Sequence, residues 1–272
     1  MLLFFISLGA GFAGALLGLG GGMFIIPAIT LGLGVGMHQA IGASIVAVIA
    51  TSSASAASYV RENLANVRVA TFLELATTSG ALLGALLAAQ APGRILSFLF
   101  GLLLMYSAYG MFRSRNAELP VGVVPHPVAS RLRMHASYFD RSLDREVPYQ
   151  VTGAIRGFLV MLGAGLVSGL LGVGSGMLKV LGMDQAMKLP MKVSTATSNF
   201  MMGVTAAVSA GYYFTRGYID PALAGPVILG VSLGAHLGSR VMCHLKSSTI
   251  RKVFLPLLLL TALQMLWRGI HP

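Results

Sequence analysis

Long apolar runs separated by short polar clusters dominate the chain. Apolar blocks occupy 1–36, 39–60, 69–90, 95–112, 153–178, 194–214, 219–243 and 252–267. A membrane-spanning helix needs about 20 mostly apolar residues. These blocks are too long and too weakly charged for the core helices of a soluble domain. They are rich in Gly, Ala and Ser, as in Ala81-Leu82-Leu83-Gly84-Ala85. Small residues let helix backbones approach closely in lipid, where apolar burial between helices gives little drive. The pattern predicts a tightly packed bundle of membrane helices. It breaks between 113 and 152, where Arg113, Arg115, Arg131, Arg133, Arg141 and Arg145 stand among Pro120, Pro125, Pro127 and Pro148. The chain therefore divides into an N-terminal transmembrane repeat (1–112), a basic linker (113–152) and a C-terminal transmembrane repeat (153–272). The linker reads as a solvated connector near acidic headgroups or as a regulatory segment. His126 and His135 lie in it without metal-ligand spacing.

Composition sharpens this picture. Of 272 residues, 56% are hydrophobic and 10% charged, against about 25% charged in an ordinary soluble domain. Nineteen Lys and Arg against eight Asp and Glu give a formal charge of +11. A soluble globular enzyme, a disordered chain and a disulfide-stapled secreted domain are excluded. The basic residues lie between apolar blocks and form no aromatic-interleaved platform, so nucleic acid is not the expected partner. Cys243 is the single cysteine, so neither an intramolecular disulfide nor a Cys-based zinc site is expected. The first basic residue is Arg61, so the N-terminus lacks the basic region of a cleaved signal peptide.

The two halves match at an offset of 154 residues. Gly9-Ala10-Gly11 aligns with Gly163-Ala164-Gly165, Leu16-Leu17-Gly18 with Leu170-Leu171-Gly172, and Gly20, Gly22 and Met23 with Gly174, Gly176 and Met177. Without a gap, Ser44, Thr51, Ser55, Tyr59, Gly80 and Gly84 then meet Ser198, Thr205, Ser209, Tyr213, Gly234 and Gly238. Such a register predicts two structurally similar halves. Charge chooses their relative orientation. If the first apolar block of each half is broken or re-entrant and returns to its own side, all Lys and Arg except Arg94, Arg216 and Arg268 fall on the linker's side. Four simple crossings per half would instead export Lys179, Lys188, Lys192 and Lys246. The positive-inside rule favours the first topology. It has three full crossings per half, an odd number, so the halves are inverted. The expected fold is thus an all-α integral membrane protein with two inverted-topology repeats. Each repeat has a Gly-broken or re-entrant segment plus three transmembrane helices. The expected location is the cell inner (plasma) membrane, with the linker cytoplasmic.

Two glycine clusters carry the candidate chemistry: Gly18-Leu19-Gly20-Gly21-Gly22, followed by Pro27, and Gly172-Val173-Gly174-Ser175-Gly176. Glycine destabilises a helix interior by about 1 kcal/mol relative to Ala. Irregular backbone at membrane depth persists only where protein or a watery cavity satisfies it. Each cluster is expected to end one short helix and begin another, whose free N–H groups and dipole favour an anion. The substrate-binding set is therefore Gly20, Gly21, Gly22, Gly174, Ser175 and Gly176, joined by Ser44, Thr197, Ser198 and Asn199. Those four are polar residues near helix starts, able to donate to an oxyanion or to cap backbone. Close helix packing through small residues is the other reading of the glycines. Thr51 and Thr205 line a path or tie helices together. Glu74, His236 and Arg240 are the ionisable residues expected within spans. Glu74 is a candidate for a coupling proton or lies at the interface. Arg240 attracts an anion at the cytoplasmic mouth or snorkels to headgroups. No metal-binding set, cofactor motif or nucleotide-binding motif is present in the sequence.

At these segments the sequence resembles the sulfite exporter TauE/SafE family of membrane anion transporters. The resemblance rests on Gly18–Gly22 with Pro27, Ala40-Ile41-Gly42-Ala43-Ser44, Gly172–Gly176, and Lys192-Val193-Ser194-Thr195-Ala196-Thr197-Ser198-Asn199-Phe200. It implies export of sulfite or small organosulfonates, with the Gly-rich turns and adjacent Thr and Ser residues shaping the site. Two positions depart from the pattern: Ser175 stands where Gly is favoured, and Leu181 where a Pro matching Pro27 is expected. The resulting expectation is a secondary transporter that moves a small anion by alternating access, not an enzyme. An anion channel of the same architecture, or a membrane enzyme or scaffold, are the alternatives. The lipid bilayer and the anion are the expected partners, a coupling proton is compatible, and so is a homo-oligomer.

Overall fold

A computed structural model of the chain describes residues 2–113, 126–140, 144–242 and 247–270. The apolar blocks fold as helices whose ends follow the repeat. The first half comprises α1 (Leu2–Leu17), α2 (Gly22–Gly32), α3 (Met37–Arg61), α4 (Val67–Ala88) and α5 (Gly93–Arg113). After a short α6 (Pro127–Arg131) and strands β1 (Ala136–Asp140) and β2 (Arg145–Tyr149), the second half runs through α7 (Ala154–Leu171), α8 (Gly176–Met187), α9 (Met191–Thr215), α10 (Pro221–Met242) and α11 (Ser247–Ile270). At the offset read from sequence, α3 matches α9 and α4 matches α10 end for end. Among the described residues, five helices are long and apolar enough to span a membrane: Met37–Arg61, Val67–Ala88, Gly93–Gly110, Ala154–Leu171 and Pro221–Met242.

The halves interlock through helices of opposite origin. α1 packs on α10, α4 packs on α7, α3 packs on α9, and α5 packs on α11. Glycine makes the first two contacts possible. A Cβ on Gly80 or Gly84 of α4 would collide with the carbonyls of Leu162 and Leu166 on α7. A Cβ on Gly234 of α10 would collide with Leu8 of α1. The rising partner numbers show that α4 and α7 run in the same direction, as do α1 and α10. By contrast, Gly101 abuts Leu266 and Gly269 abuts Phe98, so α5 and its repeat counterpart α11 are antiparallel.

Arg94, at the start of α5, donates from Nε to the Gly269 carbonyl (2.9 Å), and Arg268 donates to the Thr30 carbonyl. This end also holds the starts of α3 and α5 and the ends of α2 and α11. The opposite end carries the linker. The expectation of a solvated connector is corrected over its described part, because β1 and β2 form an antiparallel hairpin seated on the bundle. Tyr138, Val147 and Tyr149 are buried. Asn66 donates from Nδ2 to the Met134 carbonyl (2.8 Å) and to the Tyr149 hydroxyl (2.9 Å), and burial pushes that phenol above its ordinary pKa. Lys192 Nζ stands 2.7 Å from Asp140 Oδ1, with both side chains largely buried. Such a pair clamps the hairpin to the start of α9, because removing one partner strands the other charge. His126 caps α6 and His135 accepts from the Val151 amide, so both histidines accept from backbone amides beside the hairpin. Arg115, Pro120, Pro125, Arg141 and Cys243 lie outside the described residues.

The packing gives a direct test. Gly84→Ala puts a methyl into the Leu166 carbonyl, whereas a methyl on exposed Gly163 meets nothing within 4 Å. Overpacking costs about 1–3 kcal/mol. Thermal unfolding in detergent should show Gly84→Ala clearly destabilised and Gly163→Ala at least as stable as wild type.

Candidate functional site

Both glycine clusters interrupt a helix, and they do so in the same way. α1 stops at Leu17 and α2 starts at Gly22; α7 stops at Leu171 and α8 starts at Gly176. In the first break Gly18, Gly20 and Gly21 have φ of 71°, 76° and 72°. In the second, Gly172, Gly174 and Ser175 have φ of 66°, 69° and 45°. Left-handed backbone costs an L-residue about 1–2 kcal/mol and glycine almost nothing. Ser175 therefore holds a strained conformation where its counterpart, Gly21, holds a free one.

The breaks meet in the centre of the bundle. A Cβ on Gly20 would lie 2.9 Å from Met202 Sδ and 3.2 Å from Val48; one on Gly174 would lie 2.8 Å from Val48 and 3.1 Å from Met202 Sδ. Val48 and Met202 are themselves repeat equivalents, so each break touches the same two side chains. Gly22 and Gly176 begin helices that face the other half's break: a Cβ on Gly176 would strike the Gly18 carbonyl, and one on Gly22 would lie 3.4 Å from Val173 Cα. The first-turn N–H groups of two helices, which lack intrahelical acceptors, are thereby brought to one junction. Residues 18–22 and 172–176 are all buried.

Side chains fasten the junction crosswise. Ser44 donates to the Gly172 carbonyl (2.7 Å), and Ser198 donates to the Gly18 and Gly176 carbonyls (3.2 Å each). Within each half, Tyr59 donates to the Ala15 carbonyl (2.9 Å) and Tyr213 to that of Gly169 (3.2 Å). These bonds recur at the repeat offset. In this closed arrangement Ser44 and Ser198 satisfy carbonyls freed by the helix breaks, instead of projecting toward open space. Nor does Ser44 bond back along its own helix. Thr197 accepts from the Asn66 amide (3.0 Å) and so ties the start of α4 to α9. Thr51 bonds back to the Ala47 carbonyl within its own helix (2.8 Å). Asn199 donates from Nδ2 to the Ala15 carbonyl (3.0 Å), while its Oδ1 is buried without a partner. The Ser175 hydroxyl is likewise fully buried and unpartnered, and it makes no capping bond to α8.

The ionisable candidates separate into two groups. His236 and Arg240 lie on the exposed face of α10, so the structure does not bring them to the breaks. Glu74 and Thr205 do come together: Thr205 Oγ1 donates to Glu74 Oε1 at 2.7 Å. A third member, absent from the sequence-based set, completes the cluster. Lys179, one turn into α8, is 0% exposed, and its Nζ donates to Thr205 Oγ1 at 2.6 Å. The positive-inside rule groups Lys179 with the linker-side basic residues. Its alignment with Ile25, a lone cation against an apolar counterpart, was the signal that marks it. Two cavities of similar size lie elsewhere. One of about 510 Å³ separates the α3–α4 turn from the hairpin and is lined by Glu62, Arg68, Arg133, His135 and Glu146. Another, of about 520 Å³, is an apolar groove beside α1, α2 and α11, lined by Ala10, Phe24, Pro27 and Thr261.

Known proteins place this architecture. The sequence profile of the sulfite exporter TauE/SafE family matches residues 3–265. The chain belongs to this family. Among curated relatives, a probable membrane transporter protein YunE of Bacillus subtilis (strain 168) is 23% identical over 99% of this chain and 98% of its own length. A probable membrane transporter protein of Xylella fastidiosa (strain 9a5c) is 27% identical over 95% and 92%. YdhB of Bacillus subtilis, also a probable membrane transporter protein, is 24% identical over 88% and 87%. No solved structure matches the chain. The protein is thus a multi-pass membrane transporter of the TauE/SafE family.

The crossed serines give the site its own test. An interhelical hydrogen bond in a membrane protein contributes about 0.5–2 kcal/mol. Ser44→Ala and Ser198→Ala should therefore each lower the unfolding midpoint in detergent. The two shifts should be similar, because the bonds are repeat equivalents.

Proposed function

We propose that this TauE/SafE protein is a secondary transporter that carries a small oxyanion, sulfite or a related organosulfonate, outward by alternating access. The anion binds at the junction of the two helix breaks. The observation that carries this reading is the buried, unpartnered Ser175 hydroxyl at the start of α8. It is a donor without an acceptor, at a helix N-terminus that also offers free amides and the positive end of a dipole. A tetrahedral or pyramidal sulfur oxyanion presents several oxygens to such donors without demanding a coordinating metal. Ser44 and Ser198, which hold the closed breaks together, become donors to the anion when the breaks part. Asn199 adds its amide on the second half only.

The antiparallel pairing of α5 with α11 supports inverted repeats, because repeat-equivalent helices then run in opposite directions. Inverted repeats supply two mirror-related conformations of similar energy, one open to each side. The positive-inside rule assigns the linker end to the cytoplasm, with Arg94, Arg216 and Arg268 outside. The burial of both breaks favours a carrier with an occluded state over a continuous anion channel.

Ser175→Gly separates binding from folding. It retains the left-handed backbone, and relief of strain should keep stability within about 1 kcal/mol of wild type or raise it. Loss of the hydroxyl should weaken sulfite affinity about tenfold, the value of one hydrogen bond to a charged group. Calorimetric sulfite titration of purified protein and saturable sulfite counterflow in proteoliposomes measure this. Unaltered affinity in Ser175→Gly would remove the break from the binding site.

A further inference from the structure

The symmetry of the frame makes the buried charge cluster between α4, α8 and α9 conspicuous. Lys179 in α8, Thr205 in α9 and Glu74 in α4 form a continuous chain: Nζ to hydroxyl at 2.6 Å, hydroxyl to carboxylate at 2.7 Å. The Thr205 hydroxyl accepts from the ammonium and donates to the carboxylate, so it transmits each group's state to the other. The equivalent positions of the other half are Ile25, Thr51 and Ile228. The hydroxyl is thus duplicated and the charges are not. Helix packing therefore does not require them, since the repeat-equivalent interface is built without them. A fully buried ammonium is retained at a desolvation cost of several kcal/mol, which makes it a functional candidate. Glu74 keeps its second carboxylate oxygen, Oε2, buried and without a hydrogen bond. That is an open acceptor position for a proton.

The cluster is joined to the helix break. Lys179 lies one turn beyond Ser175, and its amide donates to the Ser175 carbonyl at 3.0 Å. Thr205 lies one turn beyond Met202, which touches both Gly20 and Gly174. A charge change on the relay is therefore felt at the junction.

Building on the anion-binding reading above, we propose that Lys179, Thr205 and Glu74 form a proton–anion coupling site in which Lys179 is the counter-ion shared between Glu74 and the transported anion. With Glu74 ionised, the ammonium is balanced by the carboxylate and the break has little net attraction for an anion. When Glu74 Oε2 takes up a proton from the aqueous side, the carboxylate charge is lost. The ammonium then balances an oxyanion at the adjacent start of α8. Anion release and deprotonation of Glu74 restore the original pair. Each cycle moves one proton in the same direction as one anion, and the buried charge stays constant throughout.

The groups around Glu74 are consistent with this assignment. On α8 the charged residue facing it is Lys179, and on α9 its contact is Thr205. Thr77, on its own helix, lies 3.5 Å from Thr205 Oγ1. α7 carries one ionisable residue, Arg156, exposed in its first turn, and Lys192 of α9 is engaged with Asp140 at the linker end.

The test uses the full-length protein, with sulfite as the probe. Sulfite titrates near neutral pH, so every readout compares wild type with Glu74→Gln, in which the anion's own proton is unchanged. Calorimetry in buffers of different ionisation enthalpy should show Glu74→Gln taking up about one proton fewer per bound sulfite. In proteoliposomes the variant should retain sulfite counterflow but lose net uphill flux driven by a pH gradient. Lys179→Met should weaken sulfite binding at least tenfold. If that variant is poorly folded with Glu74 left unpaired, Glu74→Gln/Lys179→Met restores a neutral core and should show the same weak binding. Equal proton uptake and equal gradient-driven flux in wild type and Glu74→Gln would overturn the coupling role. Wild-type sulfite affinity in the folded double variant would overturn the counter-ion role. Absence of sulfite binding to wild type at every pH would instead sink the anion site at the breaks, so the two readings fail by different results.

Discussion

The structure depends on a backbone contact between two left-handed turns that neither half could sustain alone. A helix that stops at Leu17 or Leu171 exposes carbonyls that lipid cannot satisfy, at several kcal/mol each. Each half supplies what the other lacks. Ser44 reaches the Gly172 carbonyl and Ser198 reaches that of Gly18, while within each half Tyr59 covers Ala15 and Tyr213 covers Gly169. The contact is close enough that the residues in it must be glycine or tolerate positive φ. The interlocked packing of α1 on α10 and α4 on α7 follows, because it brings each break to the other half's hydroxyl-bearing helix.

Much of this was legible in sequence because it rests on residues with few alternatives. A run of glycines inside an apolar block has one cheap use at membrane depth, and repetition at a constant offset fixes which residues correspond. The helix breaks, the counterpart pairs and the involvement of Ser44, Ser198 and Asn199 all came from that logic. Partners were less legible. Ser44 was weighed as an anion ligand or a local cap, and its acceptor lies 128 residues away, where only the packed halves bring it. The linker hairpin is hard to read from sequence because its scattered Arg and Pro residues mark a polar connector. Its fold is carried by a few residues, Tyr138, Val147 and Tyr149, and by anchors on α4 and α9. Lys179 was hidden by a charge count that treated every cation as a marker of side.

Around the second break the two halves differ in polarity. Ser175, Lys179 and Asn199 are polar where the first half has Gly21, Ile25 and Ile45. Glu74 belongs to the first half in sequence, but through α4 it faces α9 and reaches the same region as these three. The glycines, the crossed serines and the tyrosines form a symmetric frame, while the chemistry is concentrated on one side of it. For the alternating-access carrier proposed above, a symmetric frame would make the two open conformations similar in energy, and a one-sided polar cluster would let a single anion occupy a defined place in both.

Electroneutrality links that asymmetry to transport. An ammonium and a carboxylate buried together carry no net charge, and this is what allows Lys179 to be fully enclosed. Bringing an oxyanion to the same enclosure adds one negative charge, which a low-dielectric interior resists strongly. In the coupling proposed above, a proton on Glu74 cancels it, with Lys179 as the common partner and Thr205 as the bridge. A continuous aqueous pore would screen these charges and leave the relay without a reason to be buried. Their enclosure is what an occluded carrier requires, since the loaded and empty forms must both cross the closed state without an uncompensated charge.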